Sequence, residues 1–151
     1  MEVFENVEYR AKHLILYRGS HAPDESHTMF KALKEYIKRS GARQLGHVIS
    51  VTYASDNETR VSDTQVFIPI DTNIPCAENY TFIPELSLTN CLMVKHKGDT
   101  RFIPNSYAAL LARADNLGLQ VKMPIYNVIV SEPTQDGSNA LEIEIYAALE
   151  S

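Results

Sequence analysis

The chain has 151 residues, 44% hydrophobic and 22% charged, a balance that suits one compact domain and excludes wholesale disorder. Fourteen basic against nineteen acidic side chains leave a formal charge of −5, which disfavours generic binding to nucleic acid or anionic lipid. Two cysteines, Cys76 and Cys91, are too few for a disulfide framework. The acidic start Met1-Glu-Val-Phe-Glu-Asn is unlike a signal peptide, and no apolar run crosses a bilayer, so a cytoplasmic protein with reduced thiols is expected.

Apolar positions from Leu14 to Tyr17 predict a strand over 7–17, closed by Gly19. Pro23-Asp24-Glu25 predicts a helix start, and Met29, Phe30, Leu33 and Ile37 recur at helical spacing until Gly41. Val48, Ile49, Val51 and Tyr53 predict a second strand, Asp56-Asn57-Glu58 a turn, and Thr64 to Ile70 a third strand. Asp71 to Glu85 reads as a connection broken by Pro75 and Pro84. The order then recurs: a strand over 86–96 ending at Gly98, a helix from Pro104-Asn105-Ser106 to Gly118, a strand over 125–130, a turn over 133–139 and a last strand over 141–149.

The expected fold is therefore α+β: two tandem βαββ repeats with pseudo-twofold symmetry, antiparallel sheets and one helix per repeat. A single domain would hold repeat 1 at 1–74, a linker at 75–85 and repeat 2 at 86–151. Offsets between halves support it. Gly19 and Gly98 differ by 79, as do Ile49 and Val128, Val51 and Val130, and the runs at 66–70 and 145–149. The helices align at 77, pairing Phe30 with Tyr107, Leu33 with Leu110 and Gly41 with Gly118. Neither half can cover both faces of its own sheet, so the seam between repeats is the expected place for a concave pocket.

The second half reads Val94-Lys-His-Lys-Gly98, Pro104-Asn-Ser-Tyr107-Ala-Ala-Leu110, Pro124-Ile-Tyr126-Asn-Val and Ala140-Leu-Glu-Ile-Glu144-Ile-Tyr146. These segments resemble the GyrI-like small-molecule-binding superfamily, the bacterial effector-binding domains with the SOUL proteins as relatives. The chain departs from that pattern at Ala147-Ala148, where the family usually has proline, and in having no tryptophan. The resemblance implies a standalone binder of an apolar or cationic aromatic molecule held between the repeats. It places Glu144 where family members set a carboxylate against a cationic ligand. Two further readings stay open: a module that modulates a partner protein, as gyrase-inhibitor-like relatives do, and a hydrolase using a Glu and a Tyr.

Strand alternation puts Leu141, Ile143 and Ile145 on one face and Glu142, Glu144 and Tyr146 on the other. Glu144 is the expected charge partner and Glu142 a second acid, with Tyr146, Tyr126, Phe67, Tyr53 and Tyr17 as ligand-facing aromatics. At the 79-residue offset Gln65 lies over Glu144 and Phe67 over Tyr146. Tyr107, at helical spacing, reads as core. His21, Asp24, Glu25 and His27 lack the i, i+4 histidine spacing of a helical zinc site, so no metal is expected. Cys91 and His96, five apart in one strand, face opposite ways and form no catalytic pair. Lys31, Lys34, Lys38 and Arg39 on the first helix are offset by Glu35 and read as a solvated face. No catalytic residue, cofactor, nucleic-acid contact or membrane contact is expected. The partners are a small molecule and, on the alternative reading, a protein, with the chain a monomer or homodimer.

Overall fold

The computed structural model describes residues 2–21, 26–52, 62–74, 79–98, 102–131 and 141–150. In chain order the elements are β1 (Val3–His21), α1 (Ser26–Arg39), β2 (Val48–Thr52), β3 (Ser62–Pro69), β4 (Tyr80–Lys97), α2 (Ile103–Leu117), β5 (Ile125–Ser131) and β6 (Glu142–Ala148). The fold is α+β with antiparallel strand pairs, and the order strand–helix–strand–strand occurs twice. Pro23 to Glu25, Tyr53, the Asp56-Asn57-Glu58 turn, Pro75, Cys76 and the turn over 133–139 lie outside the described residues.

Two expectations are corrected. Residues 80–85 are strand, with Pro84 on it, where the sequence reads a linker. Proline removes one ladder donor and fixes φ near the extended range, so an irregular strand can hold it where no N–H bond is needed. The two compact units are Arg10–Leu86 and Met1–Tyr9 with Ser87–Ser151, so the first nine residues belong with the second half. β1 and β4, 19 and 18 residues long, each run from one unit into the other. Apolar alternation does not stop at such a boundary, so it leaves no mark in the pattern.

In the unit Arg10–Leu86, β3 lies between β1 and β2. Its pairs run from Leu14–Pro69 to His21–Ser62 on one side and include Ile49–Phe67 and Ser50–Val66 on the other. α1 buries Met29, Leu33 and Ile37 at the predicted four-residue spacing and leaves Glu35 and Arg39 exposed, 3.8 Å apart. In the unit Met1–Tyr9 with Ser87–Ser151, β6 lies between β4 and β5. Leu92 and Val94 of β4, Ile143, Ile145 and Ala147 of β6 and Ile125 of β5 form one core with Leu110 and Ala114 of α2. That leaves the odd positions of β4 and the even positions of β6 on the opposite face.

The ladders of the two units show parallel registers. Leu14–Pro69 in one unit matches Cys91–Ala148 in the other, and Ile49–Phe67 matches Tyr126–Tyr146. These pairs lie 77 residues apart on the first and second strands and 79 on the last. The two additional residues fall between β5 and β6, next to an irregularity at Ile129/Ser131.

Loop hydrogen bonds follow the same offsets. Ala42 N donates to Ile37 O as Leu119 N does to Ala114 O, and Leu45 N donates to Pro69 O as Lys122 N does to Ala148 O. Single bridges join Gln44 with Ile70 and Val121 with Leu149. Both helices end on a left-handed glycine, Gly41 at φ 80° and Gly118 at φ 70°, a conformation that disfavours any side chain with a Cβ.

Candidate functional site

The site residues predicted on β6 share one sheet face. Strands opposite β6 add to it residue by residue, because directly paired side chains project to the same side. Lys97 pairs with Glu142, Lys95 with Glu144 and Met93 with Tyr146 across β4, while Tyr126 pairs with Tyr146 and Val128 with Glu144 across β5. Each carboxylate of β6 thus has a lysine in register.

Glu144 is half-buried, and its Oε1 accepts a 2.9 Å hydrogen bond from the Tyr146 hydroxyl. Tyr146 is 5% exposed, and its ring lies 5.1 Å from that of Tyr9 at 42°. Burial pushes the Tyr146 phenol far above the ordinary tyrosine value; the Glu144 hydrogen bond and charge push the same way. Tyr9 is raised too, first by burial and then by the Glu144 charge. Both phenols therefore stay neutral donors well into the alkaline range. Lys95 is exposed, with its ammonium 5.9 Å above the Phe4 ring centroid. A carboxylate flanked by phenol rings can meet a positively charged planar group, whereas the Lys95 ammonium opposes one.

Cys91, fully buried on this face, has its thiol raised first by burial and then by Glu8, and its Sγ approaches Thr89 O at 3.6 Å. A raised thiol is a poor nucleophile, consistent with a packing role. His96 faces the opposite way, as predicted. It is 4% exposed, with Nδ1 3.1 Å from Oγ of the fully buried Ser106 on α2. Tyr107 of α2 donates to Asn127 Oδ1 of β5. These two bonds tie α2 to the sheet behind Glu144. Seventy-seven residues earlier the chain has Gly19 with Met29 and Phe30 with Ser50, combinations of other chemistry.

Of the remaining predicted aromatics, Phe67 and Tyr17 lie among the described residues of the unit Arg10–Leu86. Phe67 is buried at 7% exposure and paired with Leu16 and Ile49. Tyr17 is paired with Val66, one position along from Phe67, so the two rings lie on opposite faces of their sheet and do not act as common walls. Tyr17 instead meets Tyr80 at 5.4 Å, and Tyr80 stacks on Tyr36 of α1 at 3.9 Å and 17°. Tyr53 and the acids beside His21 and His27 lie outside the described residues. Tyr9, Phe4 and Lys95 were missed as site residues because their places depend on pairings between strands distant in sequence. The charge alternation Lys95-His96-Lys97 against Glu142-Ile143-Glu144 was the one available signal.

Among the described residues, no group of three or more His, Cys, Asp or Glu could hold a metal ion, and no helix is long and apolar enough to cross a membrane. No family model matches the chain, and no curated protein does. Solved structures do. The EcmrR C-terminal domain superposes at a TM-score of 0.73 with 13% identity, covering 100% of this chain and 99% of that one. EcmrR in a complex with DNA gives the same TM-score over 99% of this chain, which spans 58% of the EcmrR chain. A hydrolase from Listeria innocua superposes at 0.63 with 12% identity, covering 99% of this chain and 91% of that one. At these identities the likeness is one of fold.

Proposed function

We propose that this chain is a small-molecule-binding domain of the GyrI-like type, built from a duplicated βαββ unit, whose preferred ligand is a cationic aromatic compound. The observation that carries the reading is the half-buried Glu144 carboxylate bonded to the Tyr146 hydroxyl, with the Tyr9 ring against Tyr146. A carboxylate on a partly desolvated, aromatic-lined face gains most from a ligand that brings positive charge and a flat apolar surface together. The fold shared with the EcmrR C-terminal domain supports the reading, as do the motifs that resemble effector-binding domains. Glu144 is the charge partner, and Tyr146, Tyr9 and Tyr126 are the aromatic contacts.

A hydrolase reading draws on the same Glu–Tyr pair and on the fold likeness to the Listeria innocua hydrolase. The raised Tyr146 phenol favours binding over proton transfer, since a general acid–base works best with a pKa near the operating pH. The test uses thioflavin T, a benzothiazolium with permanent charge, beside its uncharged demethylated base. Fluorescence titration should give tighter binding of the cation, and Glu144→Gln should weaken it by about tenfold while leaving the base unchanged. Equal binding of both dyes, or indifference to Glu144→Gln, would reject the proposal.

A further inference from the structure

We infer that Lys95 is a built-in competitor for the Glu144 carboxylate, a tethered cation that vies with a charged ligand for it and that sets how strongly the site selects for charge. The inference rests on the cation-binding reading of this face. Three observations carry it. Lys95 is the direct register partner of Glu144 across β4 and β6, which puts the two Cβ atoms about 5 Å apart on one sheet face, within reach of a lysine stem. Its ammonium is held over the exposed Phe4 ring near the start of β1, a contact weak enough at the surface to exchange for a carboxylate. In the other unit the corresponding pair is Arg18 opposite Gln65, a cation facing a neutral amide, so the matched charges occur at the corresponding positions of one unit alone.

The two positions of the ammonium have different consequences. Over Phe4 it leaves Glu144 bonded to Tyr146 and able to meet a ligand cation. Over Glu144 it neutralises the carboxylate and presents its own stem to the ligand. A cationic ligand then competes with an intramolecular partner, whereas an uncharged aromatic of the same shape does not. The lysine therefore lowers affinity for cations selectively.

The experiment measures thioflavin T and its uncharged base on wild type, Lys95→Met, Lys95→Arg, Glu144→Gln and the Lys95→Met/Glu144→Gln double variant. In parallel, urea unfolding of the same proteins without dye reads the Lys95–Glu144 coupling directly. Lys95→Met should tighten thioflavin T about two- to fivefold, the range of an exposed ion pair, and leave the base unchanged. Lys95→Arg should behave as wild type, and the gain should vanish in the Glu144→Gln background. The unfolding constants should show a coupling of about 1.5- to fivefold between the two positions. An unchanged or weaker dye affinity in Lys95→Met, a gain that survives Glu144→Gln, or zero coupling overturns the inference. If no variant binds either dye while the coupling stands, the cation-binding reading fails, and Lys95 is a stabilising partner with nothing to compete against.

Discussion

Replacing Tyr146 by phenylalanine removes one hydroxyl and nothing else, so it isolates the bond that organises the site. In the native protein that hydroxyl donates to a carboxylate at 2.9 Å. Hydrogen bonds to charged groups contribute about 1.5–3 kcal/mol, and the half-exposed Glu144 can recover part of that from water, so Tyr146→Phe should cost about 1–2 kcal/mol at pH 8. With an unfolding entropy of about 2.1 cal/mol/K per residue, a chain this long loses about 3 °C per kcal/mol, giving a fall of about 3–6 °C.

The pH dependence gives the sharper signature. The Tyr146 phenol is raised in the folded state, chiefly by burial and then by Glu144. Above pH about 10 the unfolded phenol releases its proton while the folded one keeps it. The unfolded state then binds fewer protons, and stability falls as pH rises, by up to about 1.4 kcal/mol per pH unit for this group. The hydroxyl's contribution is therefore fully present below pH 10 and declines above it. Lysines titrate in both proteins and cancel. Urea unfolding of both proteins from pH 8 to 11 should show a gap that is constant to about pH 9.5 and then closes. A gap that stays constant to pH 11, or no gap at pH 8, would refute the assignment of Tyr146 as donor to Glu144.

Two further changes probe the frame behind the site. Ser106→Ala leaves the buried His96 Nδ1 without its 3.1 Å partner and should cost about 1–3 kcal/mol by urea unfolding, where Ser106→Thr, if its hydroxyl keeps the bond, costs less. Gly118→Ala forces a Cβ into a left-handed helix end at φ 70° and should destabilise by about 1 kcal/mol, although the added atom itself meets nothing within 4 Å; an unchanged melting midpoint would show that the terminus relaxes.

Much of this molecule was legible in its sequence because the signals are local. Helical spacing of Met29, Leu33 and Ile37, glycines at 41 and 118 and alternation in Glu142-Ile143-Glu144-Ile145-Tyr146 each depend on neighbours a few residues away, and each is met in the fold. The order of elements follows from them. Alternation also fixed which face Glu144 and Tyr146 share, and that Cys91 and His96 face apart.

Register and company are different matters. Only the ladder decides that Lys95 stands opposite Glu144 and that Tyr17 and Phe67 lie on opposite faces. A shift of one residue in a strand leaves its composition untouched yet turns every side chain to the other face, so sequence pattern alone cannot choose. The long strands add a second reason. β1 carries Phe4 and Tyr9 into a unit whose other residues begin at Ser87, so the rings beside Lys95 and Tyr146 come from a segment that nothing in the local pattern connects to them. The chain's chemistry can be read from its side chains one at a time, but which of them meet is set by pairing between strands distant in the chain.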